Sequence, residues 1–137
     1  MNTQKPQPRI NSINRSFWNA CNSGKLTIQK CDAPVCGKWF YFPRVGCPHC
    51  GSTAFSWKEA SGQGTIVSYT VIRRPQHPSF APELPYYFIA VQLNEGPLMY
   101  SRLVEPYSPE LDLMSRKVSV VFTEHGPDLQ LPFFSLT

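Results

Sequence analysis

Charged residues and long hydrophobic runs are both scarce in this chain of 137 residues. The charged fraction is 16%, below the roughly 25% of an average soluble protein, whereas hydrophobic residues supply 42%. This balance excludes a disordered, highly charged tail and provides enough apolar side chains for a packed core. The longest apolar run, residues 86–91, has six members, far fewer than the ~20 that a membrane-spanning helix needs. The sequence therefore predicts no membrane span.

Signals for export and for catalysis are also missing. The first ten residues are polar and proline-spaced, without the apolar stretch of a secretory signal. We therefore expect a cytoplasmic protein whose cysteines bind metal, react or pack. No pair of carboxylates, glycine-rich phosphate loop, or Ser/His/Asp or Cys/His motif is legible. We expect no catalytic activity from the chain alone.

The formal net charge of +4 conceals two halves of opposite sign. Residues 1–60 hold eight Lys or Arg and two acidic residues, whereas residues 61–137 hold five and seven. The two halves are therefore expected to face different neighbours. A net negative second half argues against binding of single-stranded nucleic acid, because phosphate contacts require cations. The basic first half keeps nucleic-acid binding open as an alternative.

Proline, by contrast, is abundant, with 14 residues against an ordinary share of ~5%. Proline at this density disfavours long helices and favours a mainly β chain. One short amphipathic helix is predicted, with Ser12 as its N-cap and Gly24 at its end. The apolar face of this helix consists of Ile13, Phe17, Ala20 and Cys21.

Alternating apolar residues indicate short strands along the rest of the chain. Three brief strands are predicted within residues 26–57. Five longer ones follow, near residues 66–71, 87–93, 98–103, 118–122 and 129–133. A turn or two of helix fits residues 109–116. Five strands separated by glycine and proline turns are typical of a small barrel or sandwich.

Four of the five cysteines form two close pairs, Cys31 with Cys36 and Cys47 with Cys50. Two such pairs joined by a short hairpin place four thiolates at the corners of a tetrahedron, which suits Zn²⁺ with bonds of about 2.3 Å. Four cysteines fill the coordination shell and leave no position to activate water, so a structural role outweighs a catalytic one. Iron in a rubredoxin-like site is the alternative.

Three further residues complete the interpretation of the cysteines. Gly37 and Gly51 follow the second cysteine of each pair, where glycine lets main-chain amides turn toward the sulfurs. The fifth cysteine, Cys21, lies on the apolar face of the predicted helix and is interpreted as a core residue.

A long loop between the first two barrel strands holds four prolines within residues 74–85. Prolines restrict a loop before it meets a partner, so this segment is either a recognition surface or a solvated connection. The candidate contacts for a partner or a phosphate group are Arg73, Arg74, His77 and Phe80, with Lys38 and Arg44 of the ribbon.

Several segments, taken in order, resemble the DUF35 family, small proteins first catalogued as domain of unknown function 35. The resemblance rests on the cysteine cluster, on Phe17-Trp18 in the helix and on Phe42-Pro43-Arg44 between the cysteine pairs. Further matches are residues 62–71, 85–96 and 131–134. It covers residues 17–134, nearly the whole chain.

The polar residues 1–11 are expected to form a flexible N-terminus. For the rest of this mainly β chain, the resemblance implies an N-terminal helix with a rubredoxin-like zinc ribbon (12–60) and a five-stranded OB-fold barrel (61–137). It also implies a non-catalytic bridging subunit of an acyltransferase or thiolase-type complex (EC 2.3.1 type), either a phloroglucinol acetyltransferase or the thiolase of side-chain degradation. A thiolase-fold or ketosynthase-like partner would carry the nucleophilic cysteine, and CoA or an acyl group would lie at the subunit interface.

The chain departs from the family pattern in two places. Its first cysteine pair has four intervening residues, which does not threaten zinc binding. Met114-Ser115 stands where an Ile-Gly turn commonly precedes the fourth barrel strand, which leaves that turn open. Two other functions stay open as alternatives, a single-stranded nucleic-acid-binding module and a free-standing acyl-CoA-binding protein. In the latter, phosphate contacts would come from Arg73, Arg74, Lys38 and Arg44.

Overall fold

Strands dominate the fold. In the computed structural model, which describes residues 4–137, one α-helix precedes eight strands in two antiparallel sheets. The mainly β class predicted from the alternating pattern is confirmed. The predicted flexible N-terminus begins with residues 1–3, which lie outside the described residues.

The first sheet belongs to the cysteine-bearing ribbon. Helix α1 (Arg15–Asn22) leads into strand β1 (Thr27–Cys31), which lies between β2 (Trp39–Phe40) and β3 (Phe55–Glu59). Both pairings of β1 are antiparallel. The first cysteine pair begins at the end of β1, and the second lies between β2 and β3, so the sheet brings the two pairs toward each other.

The second sheet closes almost completely into a barrel. Its strand order is β6-β5-β4-β7-β8. The strands are β4 (Gln63–Ile72), β5 (Tyr86–Leu93), β6 (Leu98–Arg102), β7 (Lys117–Glu124) and β8 (Gln130–Leu136). A β-bulge between Ile66 and Ser68 bends β4, which pairs with β5 along its length and with β7 at its start. The edge strands β6 and β8 meet in one parallel bridge, between Leu103 and Phe134.

The helix begins later than the sequence predicts. Its N-cap is Asn14, and the side chain of Asn11 accepts hydrogen bonds from the N–H groups of Ile13 (2.9 Å) and Asn14 (3.0 Å). The predicted Ser12 cap is therefore wrong, because a turn held by Asn11 precedes the helix. Gly24 lies just past the helix end with a φ of 75°, as predicted.

Two loops also differ from the sequence prediction. No helix forms in the described segment 109–116. A short 3-10 helix, Pro78–Glu83, instead lies in the proline loop between β4 and β5. Proline fixes φ near the helical value, so a proline-rich segment can make a single tight turn without a long helix.

One continuous core joins the helix, the ribbon and the barrel. Phe17 and Cys21 of α1 and Leu26 and Ile28 of the ribbon are buried against barrel residues. The largest fully buried barrel side chains are Tyr87, Phe134, Ile66, Ile89, Leu93, Met99 and Leu103. Phe17 and Cys21 of the predicted apolar face are thus covered by the rest of this chain, whereas Ile13 precedes the helix and is exposed. Within residues 4–137, no helix combines the length and the apolar character needed to cross a membrane.

The turn before β7 stores strain at Ser115. This residue adopts a left-handed conformation with a φ of 64°, and its N–H donates to the Ile66 carbonyl at 2.9 Å. A side chain in that conformation costs roughly 1–2 kcal/mol. Ser115→Gly should therefore raise the free energy of unfolding by about 0.5–1 kcal/mol, once the greater freedom of glycine in the unfolded chain is subtracted. Urea denaturation followed by circular dichroism measures this change.

Met114→Gly is the matched control for that measurement. Met114 is exposed and precedes Ser115, and its φ is not positive, so glycine there should lower the free energy of unfolding. A Ser115→Gly variant that is less stable than the parent would show that the left-handed conformation of Ser115 is not strained.

Candidate metal centre and aromatic groove

Four cysteine sulfurs converge in the ribbon. The Sγ atoms of Cys31 and Cys50 lie 3.6 Å apart, those of Cys36 and Cys47 lie 3.8 Å apart, and all four lie within 4.8 Å of one another. Zn–S bonds of about 2.3 Å in a regular tetrahedron give sulfur–sulfur edges of about 3.8 Å. A disulfide would need about 2.05 Å. The donor set therefore fits a tetrathiolate metal site.

Main-chain turns aim amide groups at the sulfurs. Gly37 and Gly51 take left-handed φ angles of 65° and 81°, and the His49 N–H donates to the Cys47 Sγ at 3.4 Å. Desolvation opposes ionisation of Cys47, but the N–H groups of Cys50 and His49, together with the thiols of Cys36 and Cys31, outweigh it and lower the pKa of Cys47 to about 7. The main chain thus contributes to the thiolate form of Cys47, which is the form that a metal binds.

The loop after β2 is held by Gln29, a fully buried polar residue of β1. Its amide nitrogen donates to the Arg44 carbonyl at 2.7 Å, and its side-chain oxygen accepts from the Arg44 N–H at 2.9 Å. These two bonds satisfy the buried amide and fix residues 41–44 beside the sheet. Sequence reasoning missed this role, because a glutamine in a short strand is indistinguishable from a solvent-facing polar position.

An open groove of about 500 Å³ lies where the barrel meets α1 and the ribbon. Three of its large side chains are well exposed, namely Phe42 (68%), Tyr100 (59%) and Phe88 (41%). The aromatic wall consists of Phe17, Trp18, Tyr41, Phe42, Phe80, Tyr86, Phe88, Tyr100 and Phe133. Among the described residues, no Asp or Glu lines the groove. A wall of this composition suits an apolar ligand or a partner surface.

Arg102 forms the charged side of the groove. Its guanidinium donates to the Glu83 carboxylate at 2.6 Å, and it lies 3.9 Å from the ring centroid of Tyr86 and 5.6 Å from that of Phe133. Glu83 also pairs with Lys5 at 2.6 Å. Partial burial raises the pKa of Glu83, but the hydrogen bonds and charges of Lys5 and Arg102 outweigh it and hold that pKa below its ordinary value. The ionised carboxylate therefore ties β6 to the N-terminal segment.

The N-terminal segment crosses the proline loop and the turn between β7 and β8. The buried His125 places its Nε2 atom 2.8 Å from the Pro6 carbonyl oxygen, and its ring stacks on Phe80 with centroids 6.3 Å apart. The Lys5 Nζ lies 5.4 Å from the Phe80 ring. Residues 4–11 thus contact the barrel without forming a helix or strand. The flexibility proposed for residues 1–11 stays a prediction.

The predicted contact residues do not gather in one place. Phe80 lines the groove, whereas His77 caps the 3-10 helix through its Nδ1 atom. Arg73 donates to the Tyr107 hydroxyl at 3.0 Å and covers that ring. The residues exposed to solvent include Arg74, Lys38 and Arg44. The binding roles of all six stay predictions.

Sequence reasoning missed the outward-facing aromatic residues of β5 and β6. Phe88 and Tyr100 stack with centroids 6.0 Å apart and ring planes 8° apart. The available signal was the unbroken apolar run at residues 86–91, because a strand that is apolar on both faces needs cover on both.

Cys21 lies outside the metal site, fully buried on the inner face of α1. Burial raises its pKa to about 12, so the thiol is not ionised at neutral pH. This environment matches a packing residue and not a nucleophile.

Comparison with known proteins identifies both parts of the chain. Residues 18–56 match the family profile described as the ChsH2 rubredoxin-like zinc ribbon domain, and residues 57–123 match the ChsH2 C-terminal OB-fold domain. The predicted zinc ribbon and OB-fold barrel are thereby confirmed. The ribbon match and the four clustered sulfurs together confirm structural zinc as the predicted cofactor.

Three proteins illustrate the similarity. A Pyrococcus furiosus protein, described as a DUF35 domain-containing scaffold protein, is 37% identical over 118 residues, which cover 82% of this chain and 76% of that protein. A Thermomonospora curvata protein, described as a probable enoyl-CoA hydratase alpha subunit, is 36% identical over 95% of this chain, which spans only 39% of that protein. A solved structure described as Ltp2-ChsH2(DUF35) aldolase superposes with a TM-score of 0.82 at 35% identity, covering 95% of this chain and 98% of that one.

Removal of one sulfur should release the metal and unfold the cysteine loops while the barrel stays largely formed. Cys31 and Cys47 pack with Phe40 in a small cluster separate from the main core. Structural zinc contributes on the order of 10 kcal/mol to such ribbons, so Cys47→Ser should lose zinc by elemental analysis. In a two-dimensional NMR spectrum, amides of the cysteine loops should lose dispersion and barrel amides should keep it.

Cys21→Ala is the matched control for the metal. It removes a buried thiol of the main core, so it should lower the free energy of unfolding by about 1 kcal/mol and leave the zinc content unchanged. An intact, metal-free ribbon in the Cys47→Ser variant would show that the ribbon does not need the metal to fold.

Proposed function

Since this chain belongs to the DUF35 family, we propose that it is a scaffold subunit of a multi-subunit complex that processes acyl-CoA substrates. It has no catalytic activity of its own. The partner subunit carries the reacting groups, and this chain supplies a rigid surface on which that subunit docks. CoA or an acyl group lies at the interface between the two chains.

The exposed aromatic groove is the observation that carries this proposal. Phe42, Phe88 and Tyr100 leave large apolar areas in contact with water on a small chain. Contiguous apolar surface of this kind marks an interaction site. The groove has no carboxylate in its wall, and its Arg102 is already paired with Glu83. It therefore offers apolar area and not an acid–base pair.

The zinc supports the docking surface without taking part in a reaction. Four cysteines complete its coordination shell, so no position is left for a substrate or a water. The groove residues Tyr41 and Phe42 lie in the loop between β2 and the second cysteine pair, just before Arg44, which Gln29 holds. Zinc, when bound, fixes the end of that loop through Cys47.

The descriptions of the relatives support an acyl-CoA setting. One is a scaffold protein, one a probable enoyl-CoA hydratase subunit, and the solved structure an aldolase with Ltp2 and ChsH2(DUF35) in its description. The finer assignment rests on the motif resemblance alone. According to that resemblance, the partner subunit has a thiolase-like or ketosynthase-like fold, and the complex catalyses an acyl transfer. The cytoplasmic location likewise stays a prediction.

Single-stranded nucleic acid is the alternative ligand. OB-fold barrels bind it through stacking aromatic residues and a basic groove. The stacked Phe88 and Tyr100 meet the first requirement. Arg102, however, is the one Lys or Arg that lines the groove in the described part of the chain, and it is already paired with Glu83. The charges therefore favour a protein partner.

Coexpression with the acyl-CoA-processing subunit encoded by a neighbouring gene should give a stable, active complex, whereas the isolated chain should be inactive. Phe42→Asp places a charge in the apolar groove and should weaken the complex at least tenfold, which isothermal titration calorimetry measures. Val35→Asp is the matched control, because Val35 is 96% exposed and does not line the groove.

Three results would favour other functions. Robust acyl-CoA chemistry by the isolated chain would make it an enzyme. Strong single-strand affinity that falls steeply with salt would support the nucleic-acid alternative. Tight CoA binding without a partner would indicate a free-standing carrier.

A further inference from the structure

The barrel has two edge strands, β6 and β8, and they run side by side without forming a ladder. They are joined by the single bridge of Leu103 and Phe134. The hydrogen bond from the Val104 N–H to the Phe134 carbonyl, at 2.9 Å, belongs to this junction. Each strand therefore has an edge facing the other, and the hydrogen bonds along these two edges differ.

The edge of β8 is closed by side chains. The Leu129 carbonyl accepts from the His125 N–H at the start of the pairing with β7, so the even-numbered residues of β8 turn their main-chain groups away from β7. The Gln130 N–H donates to the Asn22 side chain at 2.9 Å. The Pro132 position has no N–H, and its carbonyl accepts from the Ser101 hydroxyl at 2.6 Å.

The far end of the β8 edge is closed in the same way. The Phe134 carbonyl accepts from the Val104 N–H, and the Leu136 N–H donates to the Glu105 carboxylate at 3.1 Å. Side chains, a proline and the bridge thus occupy this edge from one end to the other. Protection of this kind prevents another strand from adding to it.

The edge of β6 has no such protection. The Leu103 N–H donates to the Tyr87 carbonyl, and the Leu93 N–H donates to the Pro97 carbonyl. The odd-numbered residues therefore face β5, and Leu98 and Tyr100 turn their main-chain N–H and C=O groups away from it. Within residues 4–137, no strand pairs with this free edge before Leu103. β6 also contains neither Lys nor Pro, the usual guards of an edge, and its one charged residue, Arg102, is paired with Glu83.

The free edge of β6 borders the aromatic groove. Residues 99–102 of β6 and 131–133 of β8 both line it. The exposed rings of Phe88 and Tyr100 continue this apolar surface across β5 and β6. A partner that covers the surface also covers the main-chain groups of Tyr100, and buried groups of this kind must find hydrogen-bond partners. A helix has its main-chain groups bonded internally and could offer only side chains to this edge, whereas an extended segment supplies main-chain donors and acceptors along it.

The charges beside the free edge define the segment further. Glu83 lies between Lys5 and Arg102, so this group of three carries one net positive charge. No carboxylate lines the groove in the described residues. A complementary segment is therefore apolar opposite Phe88 and Tyr100, lacks Lys and Arg, and has an acidic residue near Arg102.

We infer that an extended segment of the partner subunit adds to the barrel as a further strand along the free edge of β6. This inference rests on the proposed function and specifies the contact through which the complex forms. Main-chain hydrogen bonds to Leu98 and Tyr100 fix the segment, and the aromatic groove receives its side chains.

Two substitutions at one position test this pairing. Tyr100→Pro removes both the side chain and the outward N–H, while Tyr100→Ala removes only the side chain. Proline is tolerated at an edge position whose N–H faces outward, and the preceding Met99 already lies in a strand. In the coexpressed complex, Tyr100→Pro should weaken binding at least tenfold more than Tyr100→Ala. Zinc content and circular dichroism of each variant check that it is folded.

Hydrogen exchange provides a measurement that needs no substitution. In the parent chain, the Tyr100 amide should exchange at least 100-fold more slowly in the complex than in the isolated chain, as NMR can record. The Val35 amide, in a solvent-exposed loop, serves as the control position. An unchanged rate at Tyr100 would overturn the inference even if Tyr100→Pro failed to fold.

The remaining outcomes separate the inference from the proposed function. A complex in which Tyr100→Pro and Tyr100→Ala bind equally well would overturn the strand addition and leave the scaffold function in place. A dimer of the isolated chain that Tyr100→Pro dissociates would show that a second copy occupies the edge, and would also overturn it. The absence of any complex would overturn the proposed function, and the inference with it.

Discussion

Coordination of one metal ion by four thiolates is the constraint on which the ribbon, and with it one wall of the groove, depends. The ribbon strands are short, since β2 has two residues and β1 and β3 have five each. A sheet of this size is marginal in water without additional support. Zinc supplies that support to the ribbon, and Gln29 of β1 holds the loop containing Tyr41 and Phe42 beside the sheet. In the proposed function, a metal with a full shell contributes by supporting the ribbon that presents part of the docking surface.

Much of this architecture follows from sequence patterns of short range. The paired cysteines and their glycines specify a tetrathiolate site, because ligand spacing and turn geometry are local properties. Alternating apolar residues specify the strands for the same reason. The resemblance to the DUF35 family, carried by motifs in order along the chain, is confirmed by relatives that this chain covers over most of their length.

The groove could not be predicted in the same way, because its residues come from segments far apart in sequence. Phe42 lies in the ribbon, Phe80 in the proline loop and Tyr100 in the barrel. The helix N-cap likewise depends on how the preceding chain approaches the helix. Here Asn11 forms a turn before the helix, and Asn14 becomes the N-cap. The role of Gln29 depends on a carbonyl and an N–H fifteen positions away, which no local pattern contains.

The continuous core has a consequence for modularity. The two family profiles meet at residues 56 and 57, yet Phe17, Leu26 and Ile28 pack with Ile66 of the barrel in one cluster. Asn22 of the helix also closes the edge of β8. The boundary between the profiles therefore does not separate two independently packed units. If the barrel were recombined with another chain at that point, it would need a replacement for the helix. Without one, part of the barrel core and the edge of β8 would be left uncovered.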